Sequence, residues 1–179
     1  SLLGMALVQQ GQGEEALRPL RAAANLKTDS PRLLALLGLK YSEGRYYKEA
    51  IAVLRKAVAL EPSNPEWRFL LIQAHYLNQD FEQALSEARK TAETFPSLAR
   101  SHFELAQQLN NMGNVQEARP FFEKALTLDP QLVEARISLG DVLMKQGQVE
   151  EGLQTFRAAL KQRQGLIEAY LGVGKGLLQ

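Results

Sequence analysis

Apolar residues in this chain come in blocks of about 13, each spaced for one face of a helix. Leu34, Leu37, Gly38 and Tyr41 are one such set, standing at i, i+3, i+4 and i+7. Short polar clusters interrupt the blocks at Gly11, Gly44, Asn78-Gln79-Asp80, Gly113-Asn114 and Gly147, where turns are expected. Pro62, Pro96 and Pro130 mark where alternate blocks stop. Nowhere does an alternating period dominate. The pattern predicts about eleven helices and no strands.

Those three prolines lie 34 residues apart, with no insertion or deletion between them. Ala16, Ala50, Ala84 and Ala118 keep the same step, and Gly152 continues it. Gly4, Gly38, Gly140 and Gly174 form another column, with Ile72 and Ala106 in the intervening slots. A further one runs Ala23, Ala57, Ala125 and Ala159, broken by Thr91. Four independent columns at one period define an internal repeat.

These columns resemble the tetratricopeptide repeat, a helix–turn–helix unit of 34 residues. With the closing proline at position 32, complete units are expected over 31–64, 65–98, 99–132 and 133–166. A truncated unit (1–30) precedes them, and a lone first helix (167–179) follows. The resemblance spans the chain and implies one all-α array: a right-handed superhelical solenoid of antiparallel helix pairs. The small residue at position 8 lets the second helix approach, and the small residue at position 20 faces it. There are departures. Position 4, a large aromatic in the family, holds Leu34, Arg68, His102 and Arg136, regaining its type at Tyr170. Pro19 and Pro120 fall inside second helices, and Gln164 replaces the last terminal proline. Two helices of this length bury too little core alone, so neighbours must stack. Because natural arrays end in polar capping repeats, apolar Leu2, Leu3, Leu7, Leu171, Val173, Leu177 and Leu178 suggest a piece of a longer array, or ends covered by another copy.

Composition narrows the chemistry. The chain has 21 Lys+Arg against 20 Asp+Glu, a formal charge of +1, so no general field draws in nucleic acid or an acidic membrane. Without cysteine there is no disulfide, thiolate metal site or cysteine nucleophile. The longest apolar run, 33–39, is far short of the ~18 residues of a membrane span. With two histidines, His75 and His102, both at core positions of the repeat, neither a metal site nor a catalytic base is expected. Glu14-Glu15 and Glu150-Glu151 open second helices, where acidic side chains complement the helix dipole. The stretch Gly172-Val173-Gly174-Lys175-Gly176 lacks phosphate-loop spacing and falls inside a predicted helix. No cofactor is implied, and the compartment is not legible.

In the family, first helices line a concave side through positions 2, 5, 6, 9, 12 and 13. Early in this chain that stripe is apolar: Met5 and Val8; Ala35, Leu36 and Leu39; Phe69, Leu70, Tyr76 and Leu77. Later it is mixed: Phe103, Glu104, Gln107, Asn110 and Asn111, then Glu134, Ile137, Ser138, Asp141, Met144 and Lys145. A helix apolar on both faces is normally covered on both. The stripe is therefore expected to be either a groove for a partner or packing between neighbouring repeats. The groove reading names Leu36, Leu39, Phe69, Leu70, Gln73, Tyr76, Phe103, Glu104, Gln107, Asn110, Asn111 and Asp141 as binding residues, with Trp67 packing between repeats. The family's carboxylate clamp, with Lys and Asn at positions 5, 6 and 9, is absent, as is an asparagine ladder at position 6. Arg32 and Arg100 alternate with Glu66, Glu134 and Glu168 at position 2, which disfavours nucleic acid. The expected function is a non-enzymatic scaffold for a peptide or amphipathic helix. Self-association through the apolar first helices or open ends stands as an alternative, as does the docking or regulatory arm of a larger enzyme.

Overall fold

The computed structural model describes Ala22, residues 30–163 and residues 165–177. The expectations placed on residues 1–21 and 23–29, and on Gln164 and Leu178, fall outside these. Nine helices make up the described residues, with no strand among them: α1 (Pro31–Glu43), α2 (Tyr47–Leu60), α3 (Pro65–Leu77), α4 (Phe81–Thr94), α5 (Ala99–Asn111), α6 (Val115–Leu128), α7 (Val133–Lys145), α8 (Val149–Gln162) and α9 (Ile167–Leu177). The expected eleven included two helices before residue 31, beyond the description. The strongest packing is of α1 on α2, α5 on α6 and α7 on α8, each a first helix against the second helix of its own repeat. The fold is thus built of helical hairpins. The residues divide into two compact units, one up to Glu87 and one from Ala88.

Local signals place the helix starts. Ser30 caps α1, its Oγ accepting from Leu33 N at 3.4 Å, and Asn64 caps α3, its Oδ1 accepting from Glu66 N at 3.1 Å. Each is followed by proline at the first helical position, where a missing N–H costs nothing. Pro120 sits exposed inside α6, which continues through it. The turns obey the period more strictly than the residue types do. Arg45, Gln79, Gly113 and Gly147, again 34 apart, all adopt positive φ, at 65°, 64°, 82° and 77°. Gly44, the expected turn signal, is one residue early, at φ −79°.

Packing follows the columns. In the unit up to Glu87, Leu34, Leu37, Tyr41, Ala50, Leu54 and Ala57 are buried with Leu71 and Ala74. In the other, Leu105, Ala106, Leu109, Ala118, Phe122 and Ala125 are buried, as are Val133, Phe156, Ala159, Leu166 and Ala169. Position 8 is small because the second helix presses on it. A Cβ added to Gly38 would lie 2.5 Å from Leu54 Cγ, and one added to Gly140 would lie 2.7 Å from Phe156 Cε1.

Candidate functional site

The stripe singled out for binding splits three ways. Leu36 and Leu39 on α1, and Gln73 and Tyr76 on α3, are exposed. The large apolar members keep 40% (Leu36), 38% (Leu39) and 36% (Tyr76) of their surface open, and Leu77 keeps 38%. Leu70 is half-buried against the core of its unit. Phe69 is interior, at 3% exposure, so it cannot serve as an accessible anchor. Position 5 explains this correction. Ala35, its equivalent in α1, is also buried, in the cluster that includes Leu71 and Ala74 of α3. In this unit, packing between successive first helices therefore consumes position 5, while Leu36, Leu39, Gln73, Tyr76 and Leu77 stay open. Next to Tyr76 lies Phe81 at the start of α4, ring centroids 5.5 Å apart, itself 43% exposed. Position 17 holds Tyr47, Phe81, Val115 and Val149, an apolar column on the second helices rather than on the stripe of the first, so sequence reasoning missed Phe81.

In the unit from Ala88 the corresponding row is polar. Phe103 is half-buried, its ring centroid 6.0 Å from that of Phe122. Glu104 and Gln107 are half-buried: Glu104 accepts from Arg100 Nε at 3.5 Å, and Gln107 Oε1 accepts from Ser138 Oγ at 3.4 Å. Half-buried Asn110 accepts from Lys145 Nζ at 2.9 Å, and Asn111 is exposed. The Gln107–Ser138 and Asn110–Lys145 contacts link α5 to α7. Asp141 is exposed at the surface yet has no hydrogen-bond partner among the described residues. Protein crowding its carboxyl raises its pKa above the usual value, against the opposing pull of Lys145 and Lys175.

Both histidines make hydrogen bonds within the fold. His75, 2% exposed, is sandwiched between Arg55 and Asp80. Arg55 Nη2 donates to its Nε2 at 3.4 Å, and its Nδ1 donates to Asp80 Oδ2 at 3.4 Å. Burial holds its pKa below the usual histidine value. His102 Nε2 donates to the Pro96 carbonyl at 2.8 Å. Trp67 is half-buried against its unit's core, its Nε1 donating to Glu61 Oε2 at 2.8 Å. Glu150 and Glu151 occupy the first turn of α8 as expected, but Glu151 also meets Arg119 Nη2 at 3.6 Å. Arg119 further binds Glu123 at 2.7 Å, with Gln146 and Gln148 beside it, tying α6 to the next hairpin. The glycines from 172 to 176 are helical, within α9. Among the described residues no cluster of His, Cys, Asp or Glu could hold a metal ion, and no helix is long and apolar enough to cross a membrane.

Helical hairpins repeated every 34 residues, first helices packed on their own second helices through a small-residue slot, define the class of helical-repeat proteins. Comparison with known proteins specifies it. Residues 110–173 and 1–22 match family models described as tetratricopeptide repeat, and residues 43–125 match the model for anaphase-promoting complex, cyclosome, subunit 3. The chain belongs to the tetratricopeptide-repeat family. No curated protein matches it in sequence. Among solved structures it is similar to a thermophilic TPR protein of Thermus thermophilus, with TM-score 0.72 and 21% identity, covering 99% of this chain and 96% of that one. MamA from Desulfovibrio magneticus (from its residue 41) gives TM-score 0.71 and 19% identity over 92% and 93%. YrrB, described as a TPR protein with an unusual peptide-binding site, gives 0.66 and 19% over 89% and 82%. At such identities the likeness concerns the fold.

Proposed function

We propose that this chain is a protein-interaction scaffold with no catalytic machinery, metal or cofactor of its own, and that it grips partner segments on the open stripe of its first helices. One observation carries the reading. Leu36 and Leu39, one turn apart on α1, and Tyr76 and Leu77, at the end of α3, stay more than a third exposed over a core that is already closed. Single exposed apolar residues are ordinary, but two pairs of them on packed first helices, with Phe81 against Tyr76, favour a surface adapted for burial. The family supports it, and so does the peptide-binding site described for YrrB.

Each unit is assigned its own chemistry. The α1–α3 face takes apolar side chains of a peptide or amphipathic helix, through Leu36, Leu39, Leu70 and Tyr76, with Gln73 beside them and Phe81 added. The α5–α7 face, with Glu104, Gln107, Asn110, Asn111 and Asp141, takes polar groups by hydrogen bond and charge. A few large anchors supply most of such affinity. A net charge of +1 supplies no general field to draw in nucleic acid, which favours a protein ligand.

The test is selection of binders from a random displayed-peptide library against the purified chain, with affinities of the winners read by calorimetry. Leu39→Asp and Tyr76→Asp are expected to weaken apolar winners at least tenfold with helical circular dichroism unchanged. A library that yields no binder, or binders indifferent to both variants, overturns the reading.

A second reading rests on α9, where Ile167, Tyr170, Leu171 and Leu177 are 58–70% exposed. There the chain would meet another copy of itself. Light scattering over a concentration series is expected to show a dimer that Leu171→Asp dissolves. A concentration-independent monomer removes it.

A further inference from the structure

Glycine is costly in a helix interior, so each one calls for a neighbour that needs the space. Helix α9 carries three, and α8 accounts for two of them. A Cβ added to Gly172 would collide with the Phe156 ring, and one added to Gly176 would lie 2.7 Å from Leu153 Cδ2. Gly174, between them in sequence, faces the other way. It stands at position 8, where Gly38 is closed by Leu54 of α2 and Gly140 by Phe156 of α8. At Gly174 a Cβ would meet nothing within 4 Å among the described residues.

That side of α9 is apolar. Ile167, Tyr170, Leu171, Gly174 and Leu177 share one helical face, and all are exposed. Tyr170 is the largest side chain on it, and Gly174, one turn further on, is its lowest point. The face is complementary to itself. When two copies of α9 run antiparallel with Ile167 of one opposite Leu177 of the other, Tyr170 falls opposite Gly174, and the two-fold axis repeats the contact. Leu171 then lies opposite Val173. Charge agrees with shape. Glu168 and Lys175, both exposed, lie two turns apart on one flank of the face, and the same register sets each beside the other's counterpart. Parallel pairing would put Tyr170 on Tyr170 and like charge on like. The helix pair is short, so its interface falls at the low end of specific contacts, under about 1,200 Å², and dissociates on dilution.

We propose that α9 pairs antiparallel with α9 of a second copy of this chain, the Tyr170 ring of each copy seated on Gly174 of the other and Glu168 facing Lys175. This rests on the self-association reading of α9 and gives it a register, an orientation and a specificity element. Gly174 is small because an aromatic ring of the second copy needs the space.

Sedimentation of the full chain over a concentration series is the first measurement. Gly174→Leu is the informative variant, because within one copy it extends into open space and replaces a poor helix former. It is expected to keep helical circular dichroism, to melt no lower than the parent, and to weaken dimerisation at least tenfold. An end that is only sticky would dimerise as tightly or more tightly with the added leucine. Thiol cross-linking reads the orientation, since the chain has no cysteine of its own. A mixture of Ile167→Cys and Leu177→Cys chains is expected to form the mixed disulfide. Neither variant alone is expected to link to itself, because like residues lie about 15 Å apart along the axis. A dimer that tolerates Gly174→Leu, or in which Ile167→Cys links to itself, overturns the pairing and leaves self-association standing. A concentration-independent monomer removes both.

Discussion

His75 illustrates how a single residue couples this fold to its solution. It is buried and neutral, with Nδ1–H facing Asp80 and its other nitrogen receiving a hydrogen bond from Arg55. Its pKa is lowered chiefly by burial; the hydrogen bond to Asp80 opposes this, Arg55 adds to the lowering, and Asp80 and Glu87 pull weakly upward. A histidine with a depressed folded-state pKa contributes stability that is complete above its ordinary value of 6.5 and is lost as pH falls through the folded value. Melting temperature is therefore expected to drop between pH 7 and pH 5. In His75→Gln, which keeps polar atoms but takes no proton, the drop is expected to shrink. An identical pH slope in the two proteins would assign the sensitivity to other groups. Both histidines behave as the repeat column foretold. That their ring nitrogens find Asp80 and the Pro96 carbonyl was not legible, because those partners come from turns outside the column.

At the level of the helices, the 34-residue period sets backbone geometry even where residue type disagrees. Arg45 and Gln79 occupy the left-handed turn position that Gly113 and Gly147 fill in the later repeats. For a side chain that conformation costs roughly 1–2 kcal/mol. Arg45→Gly is expected to raise stability by up to about 1 kcal/mol, since the glycine's extra unfolded-state freedom offsets part of the relief. A lower midpoint in urea would show that Arg45 makes a compensating contact. The opposite substitution applies at Gly38, whose position is closed by Leu54. Gly38→Ala gains about 1 kcal/mol of helix propensity but drives a methyl into a neighbour 2.5 Å away. A net loss of about 1–3 kcal/mol is expected in chemical denaturation. Turn existence and small-residue slots were readable from the chain. The one-residue offset at Gly44 was not, because glycine permits the left-handed turn without dictating where it falls.

On the scale of the molecule, the deciding question is which apolar residues the stack consumes. Phe69 and Leu39 look alike in sequence, both on the stripe beside the core stripe. In the fold Phe69 is 3% exposed and Leu39 is 38% exposed. Phe69→Ala is accordingly expected to cost about 3–5 kcal/mol, and Leu39→Ala about 1 kcal/mol, in equilibrium denaturation. Equal costs would mean that the stripe is uniformly packed and that the α1–α3 face is not open.

Periodicity suffices for the helices, their pairing, the small-against-large contacts and the family, because each depends on local propensity and on a spacing repeated four times over. It leaves undecided whether a given side chain of the second stripe meets water or a neighbouring helix. That depends on how closely successive first helices approach, a distance set by all the contacts between hairpins at once. The burial of Phe69 arises there, and so does the clip that Arg119 makes on the following hairpin.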